Sequence, residues 1–290
     1  TVWMEEDTQR IFAFFSRPGN IPRAHFCFEV IPMTDLWKQI LDNLAFVGVS
    51  LAIVVGLALL ARLAEHFLPE KRKVSPARRV SIIGISAAIA AVLHVLDFPL
   101  AILAPEFYKL DFSELPVLLC GFYLGPSATV VCEGVKILLK LLLKGTSTAF
   151  VGDLANFVVG CSLVLPATIF YHAHKSKHSA IIGLAIGTLV MTVFGSAFNA
   201  IYLLPKFAEM FGMPLDTIVG MGTQVNSAIN SVSTLVLFAV VPFNLLKGII
   251  VSALTFLLYK RISPILHKND EKMLKRREKR ASAADSSAKS

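Results

Sequence analysis

"VVPFNLLKGIIVSALTFLLYKR", residues 240–261, decides the fold. From Pro242 to Tyr259 it carries one charge, Lys247, in an otherwise apolar run. At about 1.5 Å per helical residue, those roughly 18 residues cover most of a hydrocarbon layer about 30 Å thick. The stretch therefore reads as a membrane helix. A charged side chain at the centre of such a helix costs roughly 2.5–3.5 kcal/mol. Lys247 thus either snorkels to water along its own methylenes or serves a site.

The rest of the chain agrees with a lipid setting. Of 290 residues, 55% are hydrophobic and only 17% charged, which places the chain among polytopic, all-α membrane proteins. Further apolar runs of spanning character cover 44–64, 80–96, 128–143, 154–171 and 180–204. Between the second and third lies "ELPVLLCGFYLGP" (114–126), too short for an upright span and broken at Gly125-Pro126. Counting it gives seven crossings. Cys27, Cys120, Cys132 and Cys161 show neither metal-type nor disulfide-framework spacing. The first 35 residues show no secretory-signal pattern.

Basic loops orient the bundle, because Lys and Arg are retained on the cytoplasmic side. "PEKRKVSPARR" (69–79), "HAHKSKH" (172–178) and the tail from Lys260 are basic, whereas 97–116 holds four carboxylates and one lysine. The N-terminus is expected outside and the C-terminus in the cytoplasm. Parity then permits two crossings between 178 and 260, so 206–241 is expected outside or dipping partway in, with Pro242 in the first turn of the last helix.

At the outer layer the polar residues gather. "GDLANFVVG" supplies Asp153 and Asn156, "SAFNAIYLLP" supplies Asn199, and "PFN" adds Asn244 beside Lys247. Asp153 also suits a helix cap, and the asparagines suit interhelical hydrogen bonds. Their convergence at one depth points to a polar pocket opening outward. Asn side chains pair with a planar imide or amide edge, and Lys donates to an oxygen. With aromatic and aliphatic surroundings this suggests a flat, amphipathic ligand. Along "CEGVKILLKLLLKG" (132–145), Glu133, Lys136, Lys140 and Lys144 share one helix face, with Glu133 and Lys136 read as a bundle-stabilising pair. In "IGISAAIAAVL" (83–93), Gly84 and Ala88, and Ala87 and Ala91, recur four apart and form either a packing seam or a docking face for a partner membrane protein.

There is no phosphate loop, zincin motif or nucleophile elbow. His172, His174 and His178 read as a solvated turn rather than a metal site. The tail at 268–290 is basic, suited to anionic lipid, and not a nucleic-acid binder.

Four stretches, "KLDFSELPVLLCGFYLGP", "KGTSTAFVGDLANFVVGCSLVLPA", "GTLVMTVFGSAFNAIYLLP" and "VVPFNLLKG", occur in order between Arg79 and His267. In them the chain resembles the substrate-binding subunits, or S components, of energy-coupling factor (ECF) vitamin transporters, among them the riboflavin-specific member. The resemblance implies a six-helix core at 79–267 that captures riboflavin from outside, without a cofactor of its own and without enzymatic chemistry. It implies a transmembrane coupling subunit and two ATPases as partners. It implies flavin contacts at Asn156 and Lys247, with Asn199 and Asn244 near, Asp153 orienting the pocket, the loop 99–112 closing over the ligand, and docking through Ala87 and Ala91. Asp153 stands where the family usually has Glu, and Ile137 where it often has Asn. Residues 1–43 are then an extracellular leader, and 44–78 an added membrane helix with a basic linker. The rivals are an S component for another flat vitamin or a flavin nucleotide, a membrane enzyme using Asp153 or Glu133 as base, and a proton-coupled secondary transporter.

Overall fold

A computed structural model describes residues 44–68, 74–146 and 150–261; the leader, part of the basic linker and the tail lie outside the described residues. Helix α1, Leu44–Phe67, is the added span, and α2, Pro76–Val95, begins with proline in its first turn, where the missing N–H costs nothing. A two-residue antiparallel ladder, β1 (Phe98–Pro99) with β2 (Lys109–Leu110), folds the next loop back on itself. The short helix α3, Glu114–Leu124, and α4, Pro126–Lys144, follow. Gly125 joins them at φ +106°, a conformation a side chain resists, so the Gly-Pro break is set by sterics.

Helix α5, Val151–His174, runs back, and α6, Lys177–Phe198, starts at Ser176, whose hydroxyl accepts from the Ser179 N–H. A wide turn at Asn199–Leu203 carries α6 into α7, Leu204–Phe211. The helix α8, Leu215–Val225, then packs Ile218 and Val219 against Leu204 and Leu235, and α9, Val232–Arg261, is the last pass.

Among the described residues, five segments are long and apolar enough to cross a membrane: Gly48–Phe67, Pro76–Val95, Val151–His174, Lys177–Glu209 and Val232–Arg261. The other two expected passes differ for physical reasons. Helix α3 has 11 residues, and nine of them are buried by protein, so its length need not match lipid. Helix α4 carries Glu133, Lys136 and Lys140, whose charges are hidden inside the bundle. Helices α5 and α6 meet closely: a Cβ on Gly187 would lie 2.3 Å from the Leu163 carbonyl oxygen, and one on Gly183 2.7 Å from that of Ala167. Small residues there let two backbones touch.

Three expectations are corrected. The last helix begins ten residues earlier than Pro242, at Val232, where Ser231 and Thr234 form a capping box. Pro242 therefore lies inside it. The helix tolerates this because Val236–Val240 is a π-helical turn, just as Asn199–Leu203 precedes Pro205. Each proline would press on the carbonyl four residues back, Phe238 or Ile201, and each of these lies in the widened turn. The expected solvated histidine turn loses His172, which is buried and bonds through Nε2 to the Gly121 carbonyl at 2.9 Å. Finally, Ala87 and Ala91 are fully buried, and Ala87 shares an apolar cluster with Val117, Leu118 and Leu163. They form the packing seam. Of the four small residues, Gly84 and Ala88 alone face outward.

Candidate ligand-binding site

At the lid end of the bundle, the loop 97–112 packs onto α6 to α9. Ala104 and Leu110 join Leu204, Ile218, Leu235 and Phe243 in one apolar cluster, and Tyr108 and Phe112 border it. The Tyr108 ring sits 5.8 Å from that of Phe243, and its hydroxyl donates to Asn199 Oδ1 at 2.9 Å. Burial pushes the Tyr108 phenol above its ordinary value, so at neutral pH it is a donor. Asn199 in turn donates to the Gly195 carbonyl at 3.0 Å, and Asn244 reaches the Ser196 hydroxyl at 3.4 Å. Asn199, just past α6, and Asn244 of α9 thus both bond to the last turn of α6, at Gly195 and Ser196.

Lys247 does not snorkel. It is buried, and its Nζ donates to Asp111 Oδ2 at 2.9 Å and Glu114 Oε1 at 3.1 Å. A lysine ammonium has three donors, so one remains beyond these two. Burial alone raises the Asp111 carboxyl, but the Lys247 ammonium outweighs it and holds the group well below its ordinary 3.8. Asp111 is therefore a permanent anion at physiological pH, steadied by the Ser113 N–H at 2.8 Å.

From Glu114 the charges continue inward. Lys136 lies 3.6 Å from Glu114, bonds Ser113 at 3.1 Å and pairs with Glu133. One turn on, Lys140 donates to Asp153 Oδ1 at 2.6 Å and to the Gly145 carbonyl at 3.1 Å; another turn on, Lys144 reaches Asp97 at 2.6 Å. The expected Glu133–Lys136 pair is present, as part of a longer ladder. Asp111, Glu114, Glu133 and Asp153 are four buried carboxylates against three buried lysines, Lys136, Lys140 and Lys247. One oxygen each of Glu114, Glu133 and Asp153 has no partner among the described residues. Every lysine in the layer is thus held by an excess of negative charge.

Helix register separates the two residues expected together on α5. Phe157 lies against Gly134 and Gly160 against Glu133, so the stripe 153–157–160 faces α4. Asp153 follows that stripe and serves the α4–α5 seam through Lys140. It makes no side-chain cap and does not join the asparagines, which corrects its assignment to the pocket. Val159 abuts Gly195, so the stripe containing Asn156 faces α6. Asn156 and Asn199 each lie one turn toward the lid from that contact. Asn156 is half-buried and has no hydrogen-bond partner among the described residues.

The candidate site therefore comprises Asn156, Asn199, Asn244 and Lys247, with Tyr108, Asp111 and Glu114 added by the fold. The last three stand in "YKLDFSE" (108–114), where four carboxylates in 97–116 were legible only as a sign of sidedness. The signal that points to them is charge balance: a buried lysine requires a buried carboxylate.

The family description "ECF transporter, substrate-specific component" matches residues 78–259. The chain belongs to this family. Among its relatives, a riboflavin transporter (RibU) of Staphylococcus aureus (strain TCH60) is 34% identical over 189 residues, 65% of this chain and 92% of that protein. A riboflavin transporter (FmnP) of Bacillus subtilis (strain 168) is 27% identical over 188 residues, covering 64% and 93%. A solved structure, described as the structure and mechanism of the S component of a bacterial ECF transporter, superposes with a TM-score of 0.52 at 35% identity, covering 66% of this chain and 99% of that one. The matched region holds every residue of the site and leaves out α1. The chain is accordingly a multi-pass membrane transport subunit.

Proposed function

We propose that this chain is the riboflavin-capturing subunit of an ATP-driven ECF transporter, taking the vitamin at the lid end and delivering it to the cytoplasm. The carrying observation is the convergence of Tyr108, Asn156, Asn199, Asn244 and Lys247 under the folded loop, in a chain whose S-component relatives are named riboflavin transporters. The flavin ring system is flat, with an imide edge that both donates and accepts. Carboxamides match such an edge, and the remaining Lys247 donor suits a ring carbonyl. Tyr108 and Phe243 supply faces for the rings, an arrangement aromatic groups favour at centroid distances of about 4.5–7 Å.

In this conformation Tyr108 occupies the Asn199 acceptor and the loop covers the cluster. Ligand entry exchanges that bond for one to the flavin, and the loop 97–112 is the element that must lift. The described lysines at the lid end, Lys109, Lys144 and Lys206, each lie within 4 Å of a carboxylate. None of these three described lysines is left unpaired to match a phosphate, which favours riboflavin over its phosphate ester. The charge pattern of the loops supports an outward lid and a cytoplasmic C-terminus. Energy comes from partners, a transmembrane coupling subunit and two ATPases, since the chain has no phosphate loop.

The test is the absorbance spectrum of detergent-purified protein together with a riboflavin fluorescence-quenching titration. Wild type is expected to quench stoichiometrically, and Asn199→Ala to bind at least about tenfold more weakly, since a flavin polar group loses its partner. Absence of quenching by folded wild-type protein would overturn the reading.

A further inference from the structure

The added helix α1 builds a second site at the opposite end of the bundle. A crevice of about 850 Å³ separates α1 from α2 and the start of α4. Two guanidiniums reach into it: Arg62 from the last turns of α1, and Arg79 from the first turn of α2, whose Nη2 donates to the Ser127 hydroxyl at 2.7 Å. Arg62 is exposed and has no hydrogen bond or ion pair among the described residues. The remaining charged wall is Glu65, whose carboxylate lies toward Gly125 at the α3–α4 break, with His66 beside it. Two cations against one carboxylate leave the crevice positive. Away from the arginines its walls are apolar, formed by Val55, Leu59 and Ile83.

We infer that this crevice is a binding site for an anionic phospholipid, its phosphate between Arg62 and Arg79 and an acyl chain laid along Val55, Leu59 and Ile83. Three features select that occupant. The arginines stand at the membrane-entry ends of two spans, the depth of a headgroup, while the apolar wall runs from there into the span. A guanidinium pair suits a phosphate oxygen fork. The end concerned also carries the basic linker and the basic tail, the side on which anionic lipid gathers positive segments. Half of the crevice belongs to α1, outside the matched family region, so this site is a property of the added helix. It is independent of the riboflavin reading.

The test uses the full chain in mild detergent, with thermal unfolding followed during titration with phosphatidylglycerol, phosphatidylcholine or glycerol 3-phosphate. Phosphatidylglycerol is expected to raise the Tm of wild type at concentrations about tenfold below those phosphatidylcholine requires, the Arg62→Gln/Arg79→Gln chain to lose that preference, and glycerol 3-phosphate to give no comparable shift. A cooperative unfolding transition of the variant without added lipid checks that it is folded. Should the double variant not fold, Arg62→Gln decides, since that side chain bonds nothing among the described residues. Equal shifts with both lipids, a preference retained in the variants, or a full shift with glycerol 3-phosphate alone would each overturn the proposal.

Discussion

Lys247 shows how one residue's role depends on its partners. Its ammonium is buried between Asp111 and Glu114, so removing it leaves two adjacent carboxylates with nothing between them. With Lys247 gone, four buried carboxylates face two lysines. Lys247→Met is expected to lower stability by about 3–5 kcal/mol, the usual cost of breaking a buried pair, and adding Glu114→Gln should restore part of it. Thermal unfolding of the two variants in detergent measures this; equal Tm for both would show that Glu114 is not the partner left unpaired. Asp111 sets a pH dependence of known sign. Its folded pKa is depressed below 3.8, so its contribution is fully present above that value and is lost as pH falls through the lower folded value. The Tm of wild type is therefore expected not to fall on account of Asp111 between about pH 5 and 8, and in Lys247→Met, which loses the strongest group holding that carboxyl low, the acid-side loss due to Asp111 should be smaller than in wild type.

At the scale of elements, the loop 97–112 and the α5–α6 contact carry opposite demands. The loop must open, and what holds it is an apolar cluster, the Tyr108–Asn199 hydrogen bond and the ion pairs of Asp111 with Lys247 and of Asp97 with Lys144. Tyr108→Phe keeps the ring against Phe243 but leaves Asn199 Oδ1 without its donor, and should weaken lid closure by about 1 kcal/mol. Faster hydrogen exchange at 97–112, with unchanged exchange in α5, is the expected signature. The α5–α6 contact must not open. Gly187→Val puts a branched side chain where even a Cβ meets the Leu163 carbonyl at 2.3 Å, so the helices must separate. A loss of at least about 1–3 kcal/mol follows from overpacking, read as a fall in Tm. The two π-helical turns belong to this scale as well. Prolines were visible at 205 and 242, but a proline can begin a helix or be absorbed within one, and the capping box at Ser231 settles the second case.

For the whole molecule, the matched family region begins after α1, so deleting 1–73 should leave riboflavin affinity within about threefold, less than 1 kcal/mol, in a quenching titration. A larger loss would tie the added helix to ligand capture. The sequence by itself determined the all-α membrane class, the seven helical segments, the Gly125-Pro126 break and the family, because apolar length, loop charge and short motifs are local quantities. It also placed Asn156, Asn199, Asn244 and Lys247 at one depth. Only the tertiary structure decided which of them share a site. Asp153 and Asn156 are three residues apart, yet one pairs with Lys140 on α4 and the other faces α6. Ala87 and Ala91 turned inward while Gly84 and Ala88 stayed outside. Lys247 found Asp111 and Glu114 from more than 130 residues away. Helix periodicity says which residues share a face; which neighbour that face meets is set by packing among distant segments, and a buried charge is stable only where that packing supplies its opposite.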